Sequence, residues 1–222
     1  MDTIFLSETS LFRGISCRDI EAMMGCLKAT VKKYRRGQVI CAEGWPIRAM
    51  GMVLSGSVSI EHDDIFGNKN ILDKVGAGQV FAEQYAFLPE EPLMISAVAA
   101  EETEILFLRT ECMLAVCSRA CSGHHQLIRN MLGIAARKSL NLSRRILHTS
   151  AKSIRGRVLS FLSFQAEKQG CRSFDIPFNR QQMADYLSVD RSALSGELSK
   201  MQKEGLICVK RNHFVLLDGD GP

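Results

Sequence analysis

The stretch from residue 176 to residue 206 constrains this chain most, because its spacing is that of two short helices joined by a tight turn. Asn179, followed three residues later by Gln182, has the pattern of a capping box that begins the first helix. Asp190 can cap the second helix, since its carboxylate can accept from the unpaired amides of the first turn. The large residues of the second helix share one face, and they are Leu194, Leu198 and Met201. This pattern predicts a helix-turn-helix.

The opposite face of the second helix is small and polar, and Arg191 stands at its N-terminal end. Its other members are Ser192, Ser195, Gly196 and Ser199. An arginine can fork onto guanine in the major groove, and serine hydroxyls can donate to phosphates or base edges. The face therefore predicts DNA binding, and the alternative is an ordinary two-helix corner with a solvated polar face.

The residues after the second helix have the pattern of a β-hairpin. Gly205 is placed to end the helix, and residues 206–217 alternate in polarity around a turn at Arg211 and Asn212. This hairpin would form a wing beside the helix-turn-helix. Its basic tip carries Lys210, Arg211 and His213, which are well placed to contact backbone phosphates.

The first half of the chain changes from helical to strand-like spacing. Ser16 can cap a helix that extends to about residue 29, and from Val31 to Leu108 short apolar or alternating runs are separated by glycines. Such runs predict an antiparallel sandwich or jelly roll, with a hairpin turn at residues 66–68. The first strand carries a basic run that is typical of a solvated sheet edge, namely Lys32, Lys33, Arg35 and Arg36.

Residues 111–150 return to helical spacing and contain two apolar stripes. The first is a seam about three heptads long, formed by Ile128, Leu132, Ala135, Ser139, Leu142 and Ile146. The second is formed by Leu127, Met131 and Ile134. A helix that is apolar on two sides needs two partners, which we interpret as its own sandwich and the same helix of a second subunit. The alternative is a helix packed only within its own chain. A linker at residues 148–153 would follow, and then a helix that buries Ile154, Val158, Leu159 and Leu162.

Composition narrows the class of protein without deciding it. The chain has 222 residues, 46% of them hydrophobic, and a formal net charge of +4, which permits nucleic-acid binding without requiring it. No run approaches the roughly 20 apolar residues that a membrane span needs, and the polar N-terminus lacks the pattern of a signal peptide. We therefore expect a cytoplasmic protein whose eight cysteines are reduced.

This order of segments resembles the Crp/Fnr family of bacterial transcription regulators. The motifs that carry the resemblance are LFRGIS, VLSGSVSI, GAGQVFAEQYAF, IRGRVLSFL and NRQQMADYLSVDRSALSGELSKMQKEGLI. The resemblance implies an α+β fold with a jelly-roll sensor domain over residues 1–120, a dimerisation helix and hinge over 121–150, and a winged helix-turn-helix domain over 151–222. It also implies a homodimer on a near-palindromic operator, an effector pocket in the sandwich, and RNA polymerase as a partner.

The resemblance assigns roles to residues of the helix-turn-helix. Arg180 and Gln181 match positions that usually contact the DNA backbone, and Arg191 matches the guanine-reading arginine. Ser192 stands where many members have a base-reading glutamate, and Gly196 stands where many have a second arginine. These two departures imply that the usual operator sequence of the family does not apply here.

The effector pocket departs further from members that bind cyclic nucleotides. Glu83 matches the glutamate that holds the ribose, but Ala82 replaces the glycine before it, and the arginine–serine pair that binds the phosphate falls near Met94 and Ile95. A cyclic phosphate without a paired cation is costly to desolvate, so we expect an effector other than cyclic AMP, of unidentified nature. Leu142 and Ser143 occupy the positions of the adenine-binding pair, half of which is missing.

Three alternatives remain open from the residues. Zinc, an iron–sulfur cluster or haem could make the chain a metal or redox sensor, and the candidate ligands are Cys112, Cys117, Cys121 and His124, although cysteines at helical spacing also serve as small core residues. A cupin-like enzyme would need a metal triad, whereas the sandwich contains only His62. A sensor module that binds a protein rather than DNA would not need Arg191.

Overall fold

The computed structural model describes residues 2–63, 69–114 and 122–217. The chain divides into two compact units, Met1–Ala136 and Arg137–Pro222, and each is described by itself below. No helix within the described residues combines the length and the apolar character that crossing a lipid bilayer requires.

The N-terminal unit contains two antiparallel four-stranded sheets and several helices. Its strands are β1 (Thr30–Tyr34), β2 (Val39–Cys41), β3 (Ala49–Ser55), β4 (Ser57–Asp63), β5 (Lys69–Gly76), β6 (Val80–Phe81), β7 (Ser96–Ala99) and β8 (Thr103–Arg109). The helices are α1 (Thr3–Glu8), α2 (Cys17–Cys26), α3 (Glu83–Phe87), α4 (Thr110–Leu114) and the first part of α5 (Ser122–Thr149). The sheet orders are β1-β8-β3-β6 and β2-β7-β4-β5, which confirms the predicted antiparallel sandwich.

The inner strands of the first sheet are covered on both faces, as the alternating side chains of β8 show. Leu106 and Leu108 belong to a cluster that includes α1, α2 and the buried stripe of α5, formed by Leu127, Met131 and Ile134. Ile105 belongs to a second cluster with residues of the other sheet, and Phe107 packs against it. The interpretation that α5 lays one stripe on its own sandwich is therefore confirmed.

Local predictions in this unit hold with small changes. Ser16 caps α2 by accepting from the Asp19 amide at 3.1 Å, and the helix ends at Cys26, a little before the predicted end near residue 29. β1 is an edge strand, as its basic residues predict. The strands β4 and β5 pair antiparallel, and the hairpin turn predicted at residues 66–68 lies outside the described residues.

The C-terminal unit packs helices on a small sheet. After the end of α5 come α6 (Ile154–Gln169), β9 (Ser173–Asp175), α7 (Arg180–Leu187), α8 (Arg191–Lys203), β10 (Ile207–Lys210) and β11 (His213–Leu216). The sheet order is β10-β11-β9, and both pairs are antiparallel. Val158 and Leu162 of α6 are buried as predicted, but the prediction for Leu159 is wrong, because the inner face of the helix continues through Phe161.

His148 lies in the last turn of α5 rather than in a linker, and it is buried. Its Nδ1 lies 3.0 Å from the Ser160 hydroxyl, and its ring contacts Phe161, Phe164 and Tyr186. Burial lowers the pKa of His148, and the nearby Arg144 lowers it further. The connection between α5 and α6 is therefore shorter than predicted and spans only residues 150–153.

Candidate nucleic-acid interface

The two helices of the predicted helix-turn-helix begin at the capping residues that the sequence indicates. The Asn179 side chain accepts from the Gln182 amide at 2.9 Å, and the Gln182 side chain accepts from the Asn179 amide at 2.8 Å. Asp190 accepts from the Ala193 amide at 2.9 Å and so fixes the start of α8. Hydrogen bonds from the Ser192 hydroxyl and the Ala193 amide lower the pKa of Asp190, so the cap is ionised at neutral pH.

Two arginines hold the turn between α7 and α8. Arg157 donates to the carbonyls of Leu187 and Ser188 at 3.1 and 2.9 Å, and Arg145 donates to those of Asp185 and Tyr186 at 3.0 and 3.2 Å. Carbonyls at a helix C-terminus lack intrahelical partners, and a cation there also interacts favourably with the helix dipole. Sequence reasoning assigned no role to either arginine, and the only signal was the presence of Arg157 in the IRGRVLSFL motif.

A third arginine of the same motif fixes α8 to α6. Arg155 forms two hydrogen bonds with the Glu204 carboxylate, at 2.7 and 2.9 Å, and one with Glu197 at 2.6 Å. The Arg155 guanidinium lowers the pKa of Glu204. Arg155 therefore holds α8 near its middle and at its C-terminal end.

The exposed face of α8 presents one long donor and a row of hydroxyls. Arg191 is exposed at the first position of the helix. The Ser195 and Ser199 hydroxyls donate to the carbonyls of Arg191 and Ser195 at 2.9 Å, and Ser192 donates to Asp190 at 2.5 Å. Because these hydroxyl protons are used within the helix, their lone pairs are left to accept from base amino groups. Such groups are presented by adenine and cytosine in the major groove.

Gly196 leaves a gap in this face. A Cβ built at Gly196 would meet no atom within 4 Å, so the glycine is not required by packing. The helix backbone there is open to a close approach by another molecule. The glycine also means that α8 has no second arginine at this position.

The predicted backbone-contacting residues lie beside the wing. Arg180 is half-buried, its guanidinium lies 5.9 Å from the Phe214 ring centre, and desolvation lowers its pKa. Gln181 is exposed and donates to Asp185 at 2.8 Å. These two positions place a cation and an amide at the N-terminal end of α7, where unpaired amides also favour an anion.

The wing turns where the sequence predicts. Lys210 pairs with His213 across the hairpin, so the turn is formed by Arg211 and Asn212. Lys210 and Arg211 are exposed, and Arg211 has a φ of 59°, which costs about 1–2 kcal/mol for a residue with a side chain. His213 differs from the other two, because its ring nitrogens lie 3.1 Å from Asp175 and Ser173 of the neighbouring strand. The phosphate contact predicted for His213 would have to break these interactions.

The predicted effector residues do not converge on one pocket. Ala82, with a φ of 58°, lines a cavity of about 360 Å³ between the two sheets of the N-terminal unit. Glu83 is buried and lines a separate apolar groove formed with α4 and α5. Ile95 is half-buried against the sandwich core, whereas Met94 is 69% exposed. Leu142 and Ser143 belong to the C-terminal unit, where both are exposed.

The candidate metal ligands are only partly described. Cys112 is half-buried, His124 is buried, and Cys117 and Cys121 lie outside the described residues. Within the described part of the chain, neither ring nitrogen of His124 has a hydrogen-bond partner. In that same part, no group of three histidine, cysteine or acidic residues is arranged to hold a metal ion.

Two family models match the chain, one within each compact unit. The model for the cyclic nucleotide-binding domain matches residues 31–120, and the model for the Crp-like helix-turn-helix domain matches residues 156–221. Together the two matches take in most of the chain, in the order of its units. The chain belongs to the Crp/Fnr family of transcription regulators.

Relatives of this Crp/Fnr regulator match most of its length. The cyclic AMP receptor protein of Thermus thermophilus is 25% identical over 197 residues, which cover 89% of this chain and 87% of that protein. Among solved structures, CprK complexed with OCPA has a TM-score of 0.63 at 16% identity, over 89% of this chain and 92% of that one. The c-di-GMP responsive global regulator CLP of Xanthomonas campestris has a TM-score of 0.57 at 16% identity, over 91% and 100% of the two chains.

Family membership sets the coarse function. The protein is a Crp-like transcription regulator with a sensor domain of the cyclic nucleotide-binding type and a DNA-binding helix-turn-helix domain. The family is one of transcription regulators and not of enzymes. The structural neighbours fall below 25% identity, so they support the fold and leave the effector and the operator to be argued from this chain's own residues.

Proposed function

We propose that two copies of this regulator bind a near-palindromic operator through the exposed face of α8, under the control of a small molecule bound in the sensor unit. The observation that carries the proposal is the construction of α8. Arg191 heads a polar face that is fixed by the Asp190 cap and by the three guanidinium anchors described above. A fixed helix face with one arginine and otherwise small uncharged side chains suits the major groove. The arginine can contact a base edge, and the other side chains carry no charge that would repel phosphates.

The proposed dimer uses the seam of α5. Leu132, Leu142 and Ile146 are 66%, 61% and 59% exposed, which leaves an apolar stripe on a helix whose other stripe is buried. Two recognition helices in successive major grooves must be held about 34 Å apart, and only a fixed dimer provides that spacing. A second copy of α5 would both cover the exposed apolar stripe and fix the spacing of the recognition helices, since a two-fold axis pairs the seam of one copy with the same seam of the other.

Control by an effector would pass along α5. The helix begins in the sensor unit and ends in the DNA-binding unit, where Arg145 ties it to α7. A ligand that changes how the two α5 helices pair would therefore re-aim both α8 helices. The α5 pair would then have two arrangements, and ligand binding in the sensor unit would favour the one that changes DNA binding by α8.

Cyclic AMP is a poor candidate for this effector, although a relative that is 25% identical carries its name. The segment from Glu83 to Val98 contains three glutamates and no lysine or arginine. Its Met94 and Ile95 offer no charge to a cyclic phosphate, and an unpaired buried anion is strongly unfavourable. The ligand of this sensor therefore differs in chemistry or in orientation from a cyclic nucleotide held by an arginine in this segment.

Selection from random DNA tests the proposal. The purified protein is incubated with a random duplex library, and bound DNA is amplified and sequenced. We expect an inverted repeat whose half-site centres lie about one helical turn, or 10–10.5 base pairs, apart. Fluorescence anisotropy with the full site, one half-site and a scrambled duplex should then give the tightest binding for the full site, with an affinity that falls steeply as salt rises.

Two outcomes would contradict the proposal. Enrichment of a single half-site with no symmetric partner would argue against the dimer. Binding that does not distinguish the selected site from the scrambled duplex would argue against sequence recognition by α8.

A further inference from the structure

The cavity between the two sheets has aromatic walls. It has a volume of about 360 Å³ and is lined by β1, β2, β3, β6, β8 and the loop from Trp45 to Arg48. Tyr34 and Phe107 meet edge to face with ring centres 6.4 Å apart, and the Phe81 ring lies over Gly51, where a Cβ would come within 2.3 Å of it. Trp45 lines the cavity and is 54% exposed, so it lies where the cavity opens to solvent.

The same cavity is lined by four cations and by no carboxylate. Three of the cations belong to residues at one end of the first sheet, where Ala49 pairs with Arg109 and the Arg109 amide donates to the Leu27 carbonyl at 3.1 Å. These three are Lys28, Arg48 and Arg109, and the fourth is Lys32. Lys32 Nζ lies 5.8 Å from the centre of the Phe107 ring.

Little negative charge balances this cluster. Among the described residues, only Arg109 of the four forms an ion pair, with Glu111 at 3.0 Å. Burial raises the pKa of the Cys41 thiol to about 11 and also raises that of Tyr34, so both side chains are neutral near pH 7. The cavity is therefore a positive site with aromatic surfaces, and it is large enough for a ligand of one or two rings.

We propose that this cavity binds an aromatic anion, that is, a planar ring bearing a carboxylate or phosphate group, with the ring against Tyr34 and Phe107 and the acidic group among the four cations Lys28, Lys32, Arg48 and Arg109. The proposal rests on the proposed function in that the ligand would be the effector. It differs from phosphate binding in the segment around Met94, because the cations lie on another wall of the sandwich. A concave site with aromatic walls favours a small molecule over a protein partner.

Trp45 allows a direct test, since it is the only tryptophan of the chain. The full-length protein is titrated with phenylacetate, 2-naphthoate and phenyl phosphate while tryptophan fluorescence is followed, and calorimetry gives a second readout. Phenylacetamide supplies the ring without the charge, and acetate supplies the charge without the ring. We expect saturation by at least one aromatic anion and affinity at least about tenfold weaker for both controls, because each lacks one half of the recognition.

Alanine variants separate binding in the cavity from a general effect of basic charge. Lys32→Ala should weaken binding of the aromatic anion at least about tenfold, and so should Arg48→Ala, since each removes a charged contact. Lys33→Ala is the matched control, because Lys33 is adjacent in sequence, does not line the cavity, and faces Glu104 at 3.9 Å. Thermal melting of each variant shows whether the fold is kept.

The outcomes separate this inference from the proposed function. Flat titrations with all three aromatic anions overturn the inference, and so does saturation that survives Lys32→Ala and Arg48→Ala. Hexaglutamate is titrated as a further control, and a response to it but to none of the aromatic anions would make the cluster a surface for acidic proteins and would also overturn the inference. Operator binding is measured on the same protein with and without each anion, and its absence under every condition would contradict the proposed function and leave the ligand site standing.

Discussion

Replacing Leu132 by aspartate tests the proposed dimer at its most exposed large residue. Full burial of a leucine is worth about 1.5–3 kcal/mol. Since 66% of this side chain is exposed in the single chain, its burial at an interface would contribute about two thirds of that value. A two-fold interface contains the residue twice, so the loss is about 2–4 kcal/mol, or about 30-fold to 1,000-fold in the dimer dissociation constant. Two unpaired carboxylates at the interface add to this cost.

Sedimentation velocity over a range of concentrations measures the effect. Leu132→Asp should sediment as a monomer where the unaltered protein is a dimer, and its circular dichroism should be unchanged because the position is exposed in the isolated chain. Ile4→Asp is the matched control, since Ile4 is 68% exposed but lies on α1. If Leu132→Asp stays dimeric at the concentrations where the unaltered protein does, the seam is not the interface.

Three further predictions concern the turn, the hinge and the ligand. Arg157→Ala should destabilise the protein by about 1–3 kcal/mol in chemical denaturation, because carbonyls at the helix-turn-helix lose a charged donor, and an unchanged midpoint would refute the anchoring role. In the unfolded chain His148 is protonated near its ordinary pKa of about 6.5, whereas in the folded protein its pKa is lower. The contribution of His148 to the free energy of unfolding is therefore fully present above pH of about 6.5 and is lost as the pH falls below that value. His148→Gln should flatten this dependence in thermal melts, and the exposed His125→Gln should not. Calorimetry with cyclic AMP should show no saturable heat, because Met94 and Ile95 offer no cation and the proposed cavity takes an acidic group borne on the planar ring itself rather than on a ribose. A micromolar dissociation constant would contradict this.

Local chemistry explains which features could be predicted from the sequence. The capping box at Asn179, the Asp190 cap and the turn at Arg211 each depend on residues within four positions of one another, so spacing alone indicates them. The alternation of the strands and the two stripes of α5 follow from the same short-range periodicity. The predicted roles of the DNA-contacting and seam residues stay predictions until a complex or a dimer is measured.

Contacts between distant segments explain what the sequence did not indicate. Arg145 and Arg157 donate to carbonyls at the end of α7 that are at least 30 positions away in the sequence. No local sequence pattern predicts a hydrogen bond over such a separation. The sequence predicts a linker that begins at His148, yet this residue lies in α5 and three aromatic rings from α6 and α7 enclose its side chain. The cation cluster of the sandwich depends on the pairing of β3 with β8. Ala49, the neighbour of Arg48, pairs with Arg109, so two arginines that are far apart in the chain lie at the same end of the sheet.

We propose that α8 recognises DNA sequence through Arg191, and fluorescence anisotropy with Arg191→Ala tests this claim most directly. The variant is compared with Lys203→Ala, at the far end of the same helix, on the selected operator and on a scrambled duplex at matched salt. We expect Arg191→Ala to lose about 1–3 kcal/mol on the operator and much less on the scrambled duplex, since a bidentate contact to guanine is lost only where the guanine is present. Equal losses on both duplexes would contradict the claim and make Arg191 a phosphate contact.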